Sequence, residues 1–243
     1  MKLKPEHLPY LTGESFSTGL HTAFDTSAED RQFRSRIDWL SQICAGKRIV
    51  HLGCVDHDIK TIDRKRARGK WLHAILDDVA EDCYGVDLNA EGIDYIRGLG
   101  YQRVNAIDIL AEEDPEITGG QWDYLVLAEV LEHIENPAGF LRAIAEKYAG
   151  RFKKLIITVP NAFSWQNHKA TKRGVEIINT DHRFWFTPFT IAKNIAMAGL
   201  LPDEIIMCGY KRNRSPLKRW RFGRYPLLRD NIIATATWKD GEN

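Results

Sequence analysis

The sequence predicts an α/β protein built on a mostly parallel sheet, and three observations carry that prediction. From Lys47 onward, short apolar runs alternate with stretches of helical spacing, the signature of consecutive βαβ units. The run 124–127 is continuously apolar and rich in β-formers, as suits a strand covered on both faces. Two late apolar runs, 204–208 and 232–238, flank a basic connection and read as an antiparallel pair at the sheet edge.

The elements follow in order. Residues 1–28, rich in Thr, Ser, Gly and His without a sustained period, read as an arm or lid. A helix is expected next, with Ser27 as cap, Asp30 three residues on, Phe33, Ile37, Leu40 and Ile43 at helical spacing, and Gly46 as its end. Strands are expected at 48–52, 83–86, 102–106, 124–127 and 155–159, with helical patterns at 71–80, 91–99 and 138–148. Pro188 opens a further helix to Ala198, capped by Thr187 and closed by Gly199. The chain divides into an arm and helix, 1–46, and a main unit, 47–243, with 47–160 as the cofactor core and 161–243 as the substrate side.

Composition narrows the function classes. The 34 basic and 33 acidic residues leave a net charge of +1, so any attraction to nucleic acid or membrane is local. Cys44, Cys54, Cys83 and Cys208 are widely spaced with no C-x-x-C pair, and read as reduced thiols. No apolar targeting region and no apolar stretch of roughly 18 residues is present, so a soluble cytoplasmic protein is expected.

Chemistry is expected at the carboxyl end of 124–127, because ligands collect beyond strand ends in open α/β sheets. Turned helically, Glu129, Glu132 and His133 are spaced i, i+3, i+4 and share a face. Glu132 and Glu135 equally suit the first turn of the following helix, where they complement its dipole. At the first strand's exit Gly53 lets backbone approach a cofactor. Positions 55 and 58, Val and Asp, break the G-x-G-x-x-G fingerprint and disfavour nicotinamide or flavin. Asp87, ending the second strand, is placed to accept from both hydroxyls of a ribose, or to cap the next helix. Asp108 follows the third strand, within reach of an adenine amino group if it is not merely structural.

In that order these segments resemble the class I S-adenosylmethionine-dependent methyltransferases over about 47–159, and more weakly to the end. Trp122 through Pro137 is similar to the fourth-strand motif of the ubiquinone-type O-methyltransferases. The stretch 155–161 resembles the fifth strand and its exit, and 182–188 a segment before a late helix. The resemblance implies a Rossmann-like, doubly wound seven-stranded sheet with an antiparallel last strand. It also implies that Leu52, Gly53, Cys54, Asp87, Leu88, Asp108, Ile109 and Glu129 surround S-adenosylmethionine. The sequence departs from the family where an acid is replaced by His51 and two loop glycines by Val55 and His57. His51 reads as a core histidine, and the bulkier loop leaves less room beside the methionine half of the cofactor.

In ubiquinone-type and small-RNA 2′-O-methyltransferases, a motif similar to Glu129, Glu132 and His133 ligates a divalent cation. In the RNA enzymes another ligand comes from a segment resembling Asp181-His182-Arg183-Phe184. The resemblance implies Glu129, Glu132, His133 and His182 as ligands of Mg²⁺ or Mn²⁺. Without metal, His133 or His182 is the candidate general base. Two basic stretches stand out: one spans 60–70, and the other runs from Lys211, Arg212 and Arg214 to Arg229, with Trp220, Phe222 and Tyr225 interleaved. They suit a nucleotide-sugar, a lipid-linked glycan or an RNA end, or else a solvated loop. The expected activity is O-methylation of a small molecule or glycan. Its rivals are metal-dependent 2′-O-methylation of an RNA end and a non-catalytic binding protein of the same fold.

Overall fold

The computed structural model describes residues 8–13, 33–56, 58–210 and 215–239. One sheet runs in the order β3-β2-β1-β4-β5-β7-β6. Its strands are β1 (Arg48–Leu52), β2 (Asp82–Asp87), β3 (Val104–Ala106), β4 (Trp122–Ala128), β5 (Phe152–Pro160), β6 (Leu200–Cys208) and β7 (Asn231–Trp238). β1 to β5 pair in parallel, while β7 enters antiparallel between β5 and β6. The expected edge pair is therefore present, with β6 outermost.

The helices are α1 (Leu8–Thr12), α2 (Arg36–Cys44), α3 (Ile59–Arg66), α4 (Leu72–Val79), α5 (Ala90–Gly98), α6 (Pro115–Gly119), α7 (Pro137–Lys147), α8 (Trp165–Thr171), α9 (Pro188–Met197) and α10 (Pro216–Arg224). The helix expected from Ser27 starts later. Ser35 caps α2 in a reciprocal capping box with Asp38, so Phe33 precedes the helix. Ser27 and Asp30 lie outside the described residues, as do His57, Lys211, Arg212 and Arg214. The basic stretch after β1 contains a helix, α3, because Asp58 accepts from Thr61 N–H at 2.6 Å and Ile62 anchors it in the core. Thr187 caps α9 as expected, with Pro188 at its first turn.

Strand side chains alternate between two cores, as a doubly covered sheet requires. Val50, Leu52, Val86, Leu125, Leu127, Leu155 and Ile157 meet α7 and α9 on one face. Ile49, Val126, Ile156 and Ile233 meet Leu40 and Cys44 of α2 and Leu76 of α4 on the other. All four cysteines are buried and unbridged, and burial pushes the Cys44 thiol up to about 12. Among the described residues, no helix is long and apolar enough to cross a membrane.

His51 occupies a core position of β1. Its Nδ1 lies 3.3 Å from Nδ1 of His73 on α4, and the rings stack at 5.5 Å. Gly85 leaves the room, since a Cβ there would sit 2.7 Å from His73 Cε1. One ring donates and the other accepts, which requires at least one to be neutral. Burial holds His51 well below its ordinary value and lowers His73 to about 4. The unfolded chain therefore takes up these protons first, and stability present above pH 6.5 is lost as pH falls towards 4. For His73 alone the loss should approach about 3 kcal/mol. Urea midpoints across that window should fall steeply for the wild type and less for His73→Gln; identical slopes would clear the pair of responsibility.

Candidate active site

The strand order reverses between β1 and β4, so their carboxyl ends open into one crevice. On the β1 side the chain turns at Gly53, with φ 79° and no space for a Cβ, which would lie 2.8 Å from Val130 Cγ2. Gly53 N–H donates to the Val86 carbonyl at 2.9 Å and ties the loop to β2. Leu52, Cys54 and Val55 are buried around that turn.

Asp87 closes β2. One carboxylate oxygen accepts from Val55 N–H at 2.9 Å and the other from Asn89 N–H at 3.0 Å. Burial raises its carboxyl above the ordinary value, and the backbone donors oppose that rise. The cap of α5 is Asn89, which accepts from Gly92 N–H at 2.9 Å, so Asp87 does not serve as one. After β3, Asp108 accepts from Leu110 and Ala111 N–H at 2.9 and 3.1 Å through a single oxygen. Ile109 is buried, whereas Leu88 is 73% exposed.

The bulk that Val55 adds is met on the facing helix. A Cβ on Gly92 of α5 would sit 2.3 Å from Val55 Cγ1, so the glycine lost from the loop has a counterpart across the contact. Asp56, next in the loop, is held by the Lys65 ammonium of α3.

On the β4 side Glu129 has φ 60°, left-handed backbone that costs a non-glycine residue about 1 kcal/mol. Its N–H donates to the Thr158 carbonyl at 3.0 Å. Its carboxylate accepts from Thr158 Oγ1 at 3.0 Å and Asn231 Nδ2 at 3.2 Å, and pairs with Arg36 at 3.3 Å. Strands β5 and β7 and helix α2 thus converge on one residue. Arg36, Thr158 and Asn231 are the participants that sequence reasoning missed. Arg36 lies 122 residues from Thr158 and Asn231 lies 102 from Glu129, separations that no local spacing can signal.

Beyond Glu129 the chain makes one 3-10 turn, Leu131–His133. The expected shared helical face therefore does not form. The dipole reading is also corrected: α7 begins at Pro137 with Asn136 as cap, so Glu132 and Glu135 precede its first turn. Glu132 is fully buried, and among the described residues neither carboxylate oxygen has a hydrogen-bond partner. Burial, then the charge of Glu129, pushes its carboxyl up to about 8, with Arg36 opposing.

Glu132, His133 and His182 bring potential ligand atoms within 4.8 Å of one another. Glu129, expected as a fourth ligand, is not in this cluster because α2, β5 and β7 engage its carboxylate. The two imidazoles meet edge-on at 4.8 Å. His133 Nδ1 lies 3.2 Å from the Asp181 carbonyl and 3.5 Å from its carboxylate. Arg183 stitches the segments together, donating through N–H to the Glu132 carbonyl at 2.8 Å and through Nε to the His133 carbonyl at 3.1 Å.

Of the second basic stretch, Arg229 is structural. It is buried and donates to the carbonyls of Phe222 and Met207 at 2.9 and 2.7 Å. Phe222 is buried as well, while Trp220 and Tyr225 are exposed.

Residues 37–204 match the methyltransferase-domain family. The chain is 28% identical over 252 residues to the ubiquinone biosynthesis O-methyltransferase of Ralstonia nicotianae, covering 90% of each chain. Two solved structures share its fold. A small RNA methyltransferase superposes with TM-score 0.57 at 16% identity, over 93% of this chain and 27% of that one. Magnesium protoporphyrin IX methyltransferase from Synechocystis PCC 6803, with SAH (S-adenosylhomocysteine) bound, gives 0.52 at 15% identity, over 84% and 80%. With its strand order, its crevice between β1 and β4 and this match, the chain belongs to the methyltransferase-domain family as a class I S-adenosylmethionine-dependent methyltransferase.

Proposed function

We propose that the enzyme moves the methyl of S-adenosylmethionine to an oxygen of a small-molecule or glycan acceptor seated at Glu132, His133 and His182. The observation that carries this reading is Glu132, a fully buried carboxylate whose oxygens find no hydrogen-bond partner among the described residues. Such a group is costly unless protonated or paired with a cation. One carboxylate and two imidazoles fit Mn²⁺ better than Mg²⁺, which prefers oxygen ligands. Bound there, a divalent cation would lower the pKa of the acceptor hydroxyl and orient it.

The chain's own residues supply the rest. Asp87 accepts from the ribose hydroxyls while its remaining hydrogen bonds shape the loop. Leu88 and Ile109 flank the adenine, and Asp108 receives its amino group. Leu52, Gly53, Cys54 and Glu129 border the remainder of the cofactor. In the absence of a cation His133 is the base. With Nδ1–H donated to the Asp181 carbonyl, the neutral ring carries its lone pair on Nε2, and the Asp181 carboxylate steadies the imidazolium that forms.

Methyl transfer to a panel of phenols and sugar nucleotides, with Mn²⁺ and then with chelator, tests the reading. His133→Ala should lower turnover by about 10²-fold or more while cofactor affinity stays within a few-fold. Equal turnover in variant and wild type would remove His133 from the reaction. Methylation of an RNA end is the second reading, favoured by His182 joining Glu132 and His133. An acceptor whose binding is indifferent to salt excludes it.

A further inference from the structure

Helix α10, in the connection between β6 and β7, presents basic and apolar side chains side by side. Phe222 and Gly223 are buried, whereas Leu217 and Trp220, three residues apart, are each 64% exposed. Lys218, Arg219, Arg221 and Arg224 surround them, and no acidic residue occurs from Ser215 to Arg229. The Arg221 guanidinium lies 4.5 Å over the ring of Trp165, which places α8 beside α10. α8 and the residues after it add Lys169, Lys172 and Arg173 around a half-open cleft of about 560 Å³. Ile177, at that cleft, is 61% exposed. The stretch 164–175 again holds no carboxylate, and Glu176, beside Ile177, accepts from Trp185 Nε1 at 3.0 Å. In a chain of net charge +1, this face concentrates one sign of charge together with exposed apolar side chains.

We infer that the α8–α10 face docks peripherally on an anionic phospholipid bilayer, with Leu217 and Trp220 entering the interface and the cations meeting headgroup phosphates. The charge of the face complements anionic lipid, and juxtaposed basic and apolar side chains are what an interfacial helix needs. Tryptophan, apolar in body and polar at one edge, suits the headgroup level. Single-stranded nucleic acid would be served by the cations and Trp220, since bases stack on aromatic rings. It gives no return for exposing Leu217 and Ile177, which gain by leaving water for acyl chains. The β5–α9 connection joins this face to the proposed acceptor site, because the chain runs from α8 through 172–181 into His182. On the acceptor site proposed above, docking places the segment that carries His182 next to a membrane-dissolved acceptor.

The test is flotation of the full chain with vesicles of phosphatidylcholine alone or with about one third phosphatidylglycerol, at low and high salt. The wild type should partition at least about tenfold more strongly onto the anionic vesicles and be released by salt. Two variants separate the contributions: Leu217→Ser with Trp220→Ser, and Arg219→Glu with Arg224→Glu. All four positions are exposed, so the fold should survive, as circular dichroism would verify. Each pair should cost about tenfold in vesicle affinity. Equal binding to neutral and anionic vesicles, or undiminished binding after loss of Leu217 and Trp220, overturns the inference. So does tighter binding to a mixed-sequence RNA oligonucleotide that survives Leu217→Ser, which would make the face a nucleic-acid surface.

Discussion

With Mn²⁺ at about a hundred times its dissociation constant, the wild type should melt about 5–10 °C higher than in chelator, and Glu132→Gln should melt at the same temperature in both. The argument starts from burial. A carboxylate fully removed from water with neither oxygen bonded is held neutral, which is why its carboxyl is pushed from 4.5 to about 8. A cation supported by His133 and His182 would supply the missing partner, and binding only the folded state, it would raise the melting temperature. The sign of the pH dependence follows. Without cation, the folded state keeps the proton longer than the unfolded one, so stability is full below pH 4.5 and is lost as pH rises through about 8. Glu132→Gln, which has no proton to lose, should flatten that decline. Thermal melts at pH 7 and 9, with and without Mn²⁺, read both effects. A Gln variant still stabilised by Mn²⁺ would place the cation elsewhere.

Asp87→Ala should weaken S-adenosylmethionine binding by about 10²–10⁴-fold, measured by calorimetric titration. Two hydrogen bonds from ribose hydroxyls to a charged carboxylate are worth about 1.5–3 kcal/mol each, and tenfold in affinity is about 1.4 kcal/mol. The variant also removes the acceptor for Val55 N–H, so the loop after β1 loosens in the same step. Asn89→Ala separates the two contributions. It takes the cap from α5, at about 1 kcal/mol of stability, and leaves the Asp87 carboxylate in place. Its cofactor affinity should stay within a few-fold. An Asp87→Ala protein that binds as tightly as wild type would mean that the ribose is held by other groups.

Most of the architecture was legible because its signals are local. Apolar runs of strand length, Thr187 before Pro188, and the order of strand exits at Gly53, Asp87 and Asp108 are properties of contiguous residues, and the sheet forms where they indicate. The start of α2 was misplaced because Ser27 and Ser35 offer the same capping chemistry, and Ser35 is additionally held by the bridge to Gly209. α10 has no local signature, because a run of arginines and lysines shows no apolar stripe.

Local pattern in the chain was enough for the fold class, the strand exits at Gly53, Asp87 and Asp108, and the presence of Glu132, His133 and His182. The tertiary structure alone decided how that chemistry is distributed. It assigned Glu129 to Arg36, Thr158 and Asn231, leaving Glu132 buried without a hydrogen-bond partner among the described residues. It also matched Val55 with Gly92 across the loop, and His51 with His73 in the core. The physical reason is common to all of these. Each depends on burial and on side chains brought together by sheet order, and neither is encoded in the spacing of neighbouring residues.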